Sequence, residues 1–176
     1  MKKCILSLAL VMFSVMFSRA QQVNVGAGLA FGTEVEQAGI ILNGQYFFTD
    51  QWAAAPSLIF YFPEKEKFSS GGFTYEAKAS VWEFNADVNY YFYTSGSAKF
   101  FGEGGLNVTS FKAKIKTTGG GSNQTSSENE SRVGLNLGIG VDFLAGDKLI
   151  PFVSMKYTAS DYDQLVLKAG VRFIIK

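Results

Sequence analysis

The side chains that could carry chemistry in this chain are a small set of carboxylates and cations. Glu83 and Asp87 lie in residues 82–89, where apolar and polar residues alternate strictly. Two neighbouring carboxylates can serve as general acid and general base. The other charged candidates occupy the same kind of alternating segment further along the chain. They are Glu103, Asp142, Lys156, Lys168 and Arg172.

Composition excludes several common kinds of catalysis. None of the 176 residues is His, so no Ser–His or Cys–His pair can form. Cys4 is the only cysteine, which excludes a metal site built from His and Cys. Residues 102–105 read Gly-Glu-Gly-Gly, but the Lys-Ser/Thr pair of a phosphate-binding loop does not follow them. We therefore expect no enzyme activity, no catalytic residue, no bound cofactor and no metal.

Alternating polarity also shows which elements hold the charged candidates. In residues 133–143 every odd position is apolar and every even position is Gly, Asn or Asp. Successive side chains of a strand point to opposite faces, so this segment has one apolar face and one polar face. The same pattern predicts eight strands, at residues 23–31, 40–48, 52–62, 82–92, from 99 onward, 133–143, 149–158 and 164–175. Pro56 predicts a bulge or break in the third of them.

The polar faces of these strands hold all seven charged candidates, four acidic and three basic. The apolar faces are nearly free of charge, whereas a soluble lipocalin-type barrel needs its apolar faces inside and its polar faces in water. The interior of an eight-stranded barrel is just wide enough for side chains to fill, and unpaired buried charges are costly. We therefore expect a polar network that plugs the lumen. The alternative is a narrow pore lined by the same residues.

The N-terminus has the three parts of a secretion signal. Lys2 and Lys3 precede an apolar run at residues 5–17, and Ser-Arg-Ala at 18–20 offers a cleavage site before Gln21. A largely apolar run of thirteen residues is too short to span a bilayer as a helix. We expect residues 1–20 to be a signal peptide that removes Cys4, and residues 21–176 to form one barrel domain.

Connections between the predicted strands alternate in length. Those after the second, fourth and sixth strands are short, whereas residues 63–75 and 112–131 are long, as in barrels with short periplasmic turns and longer external loops. Alternation continues upward through residues 73–79 and 111–116, which predicts strands that protrude beyond the bilayer. Residues 117–129, rich in Gly, Ser, Thr and Asn, are expected to be a flexible loop tip. Aromatic residues gather at the predicted periplasmic rim: Tyr46, Phe48, Trp52, Tyr90, Phe92, Phe100, Phe143 and Phe173.

These features resemble the small eight-stranded outer-membrane barrels of the OmpA/OmpX type, a porin-family outer-membrane β-barrel domain. The most specific part of the resemblance is the C-terminus, where Lys168, Gly170, Phe173 and Ile175 occupy the places of the assembly signal of such barrels. Here the last apolar residue is Ile instead of an aromatic residue, and Lys176 follows it. Gln21 after the Ala of the signal is similar to exported proteins of Bacteroidetes.

The resemblance implies an all-β, eight-stranded antiparallel up-and-down transmembrane barrel in the outer membrane of a Gram-negative bacterium. It implies a monomer whose partners are outer-membrane lipid and lipopolysaccharide, the barrel-assembly machinery, and host or matrix proteins at the outer loops. Nucleic acid is not expected as a partner, because the chain has no large basic excess: it contains 16 Lys and Arg and 15 Asp and Glu. Relatives of the OmpX type carry a protruding sheet for binding foreign proteins. The expected function is structural or adhesive, through the outer loops; the alternative is transport of ions or small solutes.

Overall fold

The computed structural model describes residues 22–70, 73–119, 122–146 and 148–175. Within those ranges there is no helix long and apolar enough to cross a membrane. The predicted signal peptide at residues 1–20 lies outside the described residues, so it stays a prediction.

Nine antiparallel strands make up the described part of the chain. They are β1 (Gln22–Gly32), β2 (Gln37–Phe47), β3 (Trp52–Tyr61), β4 (Glu64–Ser70), β5 (Phe73–Thr94), β6 (Ala98–Gly119), β7 (Ser122–Phe143), β8 (Leu149–Ala159) and β9 (Gln164–Ile174). β1 pairs with β9 and β3 pairs with β5, which closes eight strands into a barrel. β4 begins two residues after β3 ends and runs on in the same direction. It pairs with residues 73–79 of β5, at the end of that strand farther from the chain termini, which we call the upper end. The predicted eight-stranded antiparallel barrel is confirmed.

The two faces of each strand have the predicted orientation. On β7, Leu137 is 74% exposed on the outside, whereas Asn136 beside it is 5% exposed inside. At the end that holds Gln22 and Ile174, the outside carries a band of exposed aromatic side chains, which confirms the predicted girdle. Its described members include Phe48, Trp52, Tyr90, Phe92, Phe100, Phe143 and Phe173.

Two irregularities interrupt the ladders. Opposite Pro56, the β2–β3 pairing stops between Asn43↔Ser57 and Tyr46↔Ala54 and resumes in the same register. This is the predicted local break, and it arises because proline has no N–H to donate. A second irregularity was not expected: the β5–β6 register shifts between Tyr91 and Tyr93.

Above the barrel, the predicted strand extensions through residues 73–79 and 111–116 are confirmed. The prediction of a flexible loop tip at residues 117–129 is wrong. β6 and β7 pair without interruption up to Gly119↔Ser122, and residues 120 and 121 lie outside the described residues. A loop was expected because residues 117–129 include few apolar residues. However, a strand with both faces in water needs no apolar residues, provided that its backbone N–H and C=O groups are paired.

These upper segments form one four-stranded sheet, which we call the outer sheet. It consists of β4, residues 73–81 of β5, residues 111–119 of β6 and residues 122–133 of β7. The described pairing of β7 with β8 begins only at Leu135↔Ala159. Among the described residues, the upper half of β7 is therefore hydrogen-bonded on one side only.

Candidate functional site

All seven charged candidates lie inside the barrel and are almost completely buried. The most exposed of them, Glu103 and Lys168, expose only 6% of their surface. Each position follows from strand periodicity, which turns every second side chain toward the lumen. The seven come from five strands: Glu83 and Asp87 from β5, Glu103 from β6, Asp142 from β7, Lys156 from β8, and Lys168 and Arg172 from β9.

Six of the seven form three ion pairs across the lumen. Lys156 Nζ lies 3.3 Å from Glu83 Oε2, and Lys168 Nζ lies 2.7 Å from Glu103 Oε1. Arg172 pairs with Asp142 nearer the end that holds the chain termini. The first two pairs, Lys156–Glu83 and Lys168–Glu103, each join strands with two other strands between them and so brace well-separated parts of the wall, whereas β8 alone separates the strands of Arg172 and Asp142.

Asp87, the seventh charged residue, accepts a hydrogen bond from an asparagine instead of forming an ion pair. Asn136 Nδ2 donates to Asp87 Oδ1 at 2.7 Å and to Asn85 Oδ1 at 2.9 Å. Asn107 also donates to Asn85, and Lys156 does the same, so Asn85 lies at the centre of the network. Sequence reasoning placed these asparagines on the polar face but did not assign them to the site. Their positions on the polar faces of the alternating strands β5, β6 and β7 were the signal.

Below Arg172 the network becomes partly aromatic. The Tyr91 hydroxyl donates to Asp142 Oδ2 at 2.8 Å and accepts from Gln45 Nε2 at 2.7 Å. The guanidinium of Arg172 lies 3.8 Å from the ring centre of Phe152, close enough for a cation–π contact. No local sequence pattern assigns Tyr91, Gln45 or Phe152 to the site, because residues from several strands meet there only after the barrel closes.

Apolar side chains close the lumen above Glu83. Tyr61 donates its hydroxyl proton to Glu83 Oε1 at 2.7 Å, and Gln164 Nε2 donates to the same oxygen at 2.7 Å. Tyr61 itself belongs to a buried apolar cluster that begins level with Glu83, at Ile59, and extends toward the outer-sheet end. Its members are Ala30, Ile41, Ile59, Tyr61, Val81 and Val166.

At the mouth of the barrel on the outer-sheet side, an arginine packs against two aromatic rings that also contact each other. The guanidinium of Arg132 lies 5.7 Å from the ring centres of both Phe111 and Tyr162. In the turn that carries Tyr162, the Ser160 N–H donates to Asp163 Oδ1 at 3.0 Å and holds the pKa of that carboxyl below its usual range. These contacts tie the β8–β9 turn to the base of the outer sheet.

Little empty space remains between these groups. One cavity of about 20 Å³ lies in the lumen beside Asp87, Glu103, Lys168 and Arg172. That volume is about what one water molecule needs. No cluster of acidic side chains that could hold a metal ion occurs in the described part of the chain.

The residues of the expected assembly signal have separate places in the folded barrel. Lys168 is in the lumen, and Phe173 and Ile175 are exposed on the outside by 53% and 64%. A Cβ on Gly170 would lie 2.4 Å from the carbonyl oxygen of Ala27 on β1. Glycine is therefore needed at this position for the closure of the barrel between β1 and β9.

The outer sheet presents a different surface from the lumen. Phe68 on β4 and Ile115 on β6 are 67% and 53% exposed. By strand register both share the sheet face that continues the lumen side, together with Glu128 and Glu130 of β7. This face therefore offers acidic groups on β7 itself, Ile115 on the neighbouring β6, and Phe68 on β4 at the other edge of the sheet.

Comparisons with known proteins agree with this architecture. The family model "Outer membrane protein beta-barrel domain" matches residues 5–173. The fold is similar to that of Ail, the attachment invasion locus protein of Yersinia pestis, in its complex with the heparin analogue sucrose octasulfate. The TM-score is 0.59 at 16% identity, over 88% of this chain and 97% of Ail.

Two further solved structures show the same fold. A major outer membrane protein from Thermus thermophilus has a TM-score of 0.59 at 12% identity, over 88% of this chain and 98% of that one. The N-terminal barrel domain of Pseudomonas aeruginosa OprF has a TM-score of 0.51 at 16% identity, over 89% and 98%. A comparison with curated proteins found no significant match.

Proposed function

Because this chain belongs to the outer membrane protein β-barrel domain family, we propose that it is a Gram-negative outer-membrane barrel with an occluded lumen that acts through its outer sheet. The observation that carries the proposal is the contrast between these two regions. Paired side chains fill the lumen, whereas the outer sheet offers a one-sided strand edge and exposed apolar side chains. In this proposal the barrel anchors the chain in the membrane without conducting, and the outer sheet provides a binding surface above the membrane.

The packing of the lumen supports occlusion. Three buried ion pairs lie in it, with the apolar cluster around Tyr61 toward the outer-sheet end. Toward the other end lies a second buried cluster, formed by Phe47, Ala53, Tyr91 and Phe101. Opening a path for ions would break buried pairs, each at a cost of several kcal/mol. The same packing opposes catalysis by Glu83 and Asp87, because neither lipid nor glycan reaches them through the wall. Conductance of the purified chain in a planar bilayer separates this proposal from the narrow-pore alternative: steady current would favour the pore.

The outer sheet supports surface interaction. A strand edge with unused backbone groups can add a strand from another chain. Exposed Ile115 on the neighbouring β6 and exposed Phe68 on β4, at the far edge of the same face, provide apolar contacts for the partner. At the level of fold, Ail is a precedent: its name refers to attachment and invasion, and its structure includes a complex with a heparin analogue. We propose a host or matrix protein as the partner of this face.

The test uses the exposed apolar pair. Phe68→Ser combined with Ile115→Ser should leave folding intact, because both side chains are more than half exposed. Cells that display this variant should attach at least about tenfold less to surfaces coated with matrix proteins than cells with the wild-type chain, by loss of apolar contact area. The matched control is Ser127→Ala with Ser131→Ala on the opposite face of the sheet. Equal attachment by both variants and the wild-type chain would contradict the proposal.

The C-terminal residues Lys168, Gly170, Phe173 and Ile175 are proposed to act before folding is complete, as the recognition signal for the barrel-assembly machinery. Support comes from the outward exposure of Phe173 and Ile175, since their side chains make no lumen contact in the folded barrel.

A further inference from the structure

Lysines line up on one face of the outer sheet. Lys112, Lys114 and Lys116 alternate along β6, and the register sets Lys78 of β5 directly opposite Lys114. The three lysines of β6 are exposed and Lys78 is half-buried. Residues two apart on a strand share a face, so the β6 lysines stand about 7 Å apart in a row.

This row lies on the same side of the strands as the lipid-facing surface. On β6 the even-numbered Leu106 is 54% exposed on the outside of the barrel, and on β5 the even-numbered Trp82 is 40% exposed. Lys112, Lys114 and Lys78 have the same parity and continue that surface upward. The acids of the neighbouring strand, Glu128 and Glu130, pair in register with odd-numbered residues of β6 and belong to the other face.

Positive charge therefore predominates on this face, which also includes Glu76, set opposite Lys116 by the register. Like charges directly opposite each other on a sheet are destabilising, yet Lys78 opposes Lys114. Lysines often protect a sheet edge from association, but β6 lies between β5 and β7. No ion pair within the described part of the chain involves Lys78, Lys112 or Lys114.

We propose that Lys78, Lys112 and Lys114 bind the phosphate groups of lipopolysaccharide in the surrounding outer leaflet. Lys112 lies four residues beyond Val108, the last apolar residue of the outer face of β6. At about 3.3 Å per residue this is ~13 Å along the strand, or roughly 10 Å of height for a strand tilted by about 40°. Lysine side chains extend several ångströms further along a surface. The ammonium groups therefore reach the phosphorylated headgroup layer.

On the neighbouring strand, β7, polar uncharged side chains are placed to hydrogen-bond the sugars of the same ligand. Asn129 and Ser127 of β7 stand opposite Lys112 and Lys114, and both are exposed. Amide and hydroxyl groups hydrogen-bond sugar hydroxyls without adding charge. A lipid-anchored ligand is favoured over a free polyanion because the lysine face is continuous with the lipid-facing surface. The proposal concerns the face opposite to the partner-binding face and stands independently of it.

The experiment measures association of lipid A with the full chain folded into phospholipid vesicles. Energy transfer from Trp82 to bisphosphorylated lipid A that carries an acceptor dye reports binding. Removing two lysine charges, in Lys112→Gln with Lys114→Gln, should weaken binding about 30-fold, since each lysine near an anionic surface contributes ~1 kcal/mol. The charge-matched control, Lys99→Gln with Lys148→Gln at the opposite end of the barrel, should bind like the wild-type chain. Dephosphorylated lipid A should bind weakly to all three.

Two results would overturn the proposal. One is equal binding of bisphosphorylated lipid A by the wild-type chain and the Lys112/Lys114 variant, with both shown to be folded by gel mobility. The other is binding of soluble sucrose octasulfate that needs these lysines while lipid A binding does not, which would assign the face to sulfated glycans. Weakening of lipid A binding at high salt in the wild-type chain alone would support it.

Discussion

Replacing Lys156 by Met tests whether the charge network holds the barrel together. Lys156 is 0% exposed and Glu83 is 1% exposed, with Nζ and Oε2 3.3 Å apart. Methionine fills a similar volume without charge. The substitution therefore leaves packing nearly intact and leaves Glu83 as a buried carboxylate without its cation.

The expected loss in the free energy of unfolding depends on the hydrogen bonds that Glu83 keeps. Removing one partner of a buried pair costs about 3–5 kcal/mol. Glu83 still accepts hydrogen bonds from Tyr61 at 2.7 Å, Gln164 at 2.7 Å and Asn107 at 3.3 Å. These three donors stabilise the remaining charge, so we expect the low end, about 3 kcal/mol. Adding Glu83→Gln removes the uncompensated charge and should recover at least about half of the loss.

The assay is urea unfolding of the chain in lipid vesicles, followed by fluorescence of Trp52 and Trp82. Four proteins are compared: the wild-type chain, Lys156→Met, Glu83→Gln and the double variant. A stability of Lys156→Met within about 0.5 kcal/mol of the wild-type chain would refute the reasoning. A double variant whose loss equals the sum of both single losses would refute it too, because uncoupled residues do not form a pair.

Two further predictions concern the wall of the barrel. Leu137→Arg places a charge on the lipid-facing side, where Leu137 is 74% exposed, and should cost about 2–4 kcal/mol in vesicle unfolding; Leu137→Ala is the control, and equal losses would mean that this face does not meet lipid. Gly105→Ala would bring a Cβ within 2.2 Å of the Ala86 carbonyl oxygen, whereas the nearest atom at Gly104 is 3.6 Å away. We expect a loss of about 1–3 kcal/mol for Gly105→Ala and little for Gly104→Ala by the same assay, and the opposite order would contradict this register.

The sequence by itself determined the fold class and, for each of the eight strands of the barrel, which face turns toward the lumen. A period of two is a local property, so the alternation around Leu137 or Glu83 assigns each side chain to a face without knowledge of its neighbours. The same local reasoning found the seven charged residues of the lumen and the break at Pro56. It also excluded histidine-based catalysis, which depends on composition alone.

Only the tertiary structure decided which residues meet. The pairing of Lys156 with Glu83, and the asparagine-held carboxylate of Asp87, depend on barrel closure, which brings together strands far apart in the chain. The tip of the outer sheet was expected to be a loop for a related reason. Residues 117–119 and 122–129 are polar on both faces, so their strand state rests on backbone pairing between β6 and β7 rather than on burial of apolar side chains. The lysine face likewise exists only in the paired register, because Lys78 and Lys114 are far apart in sequence and become neighbours across the sheet.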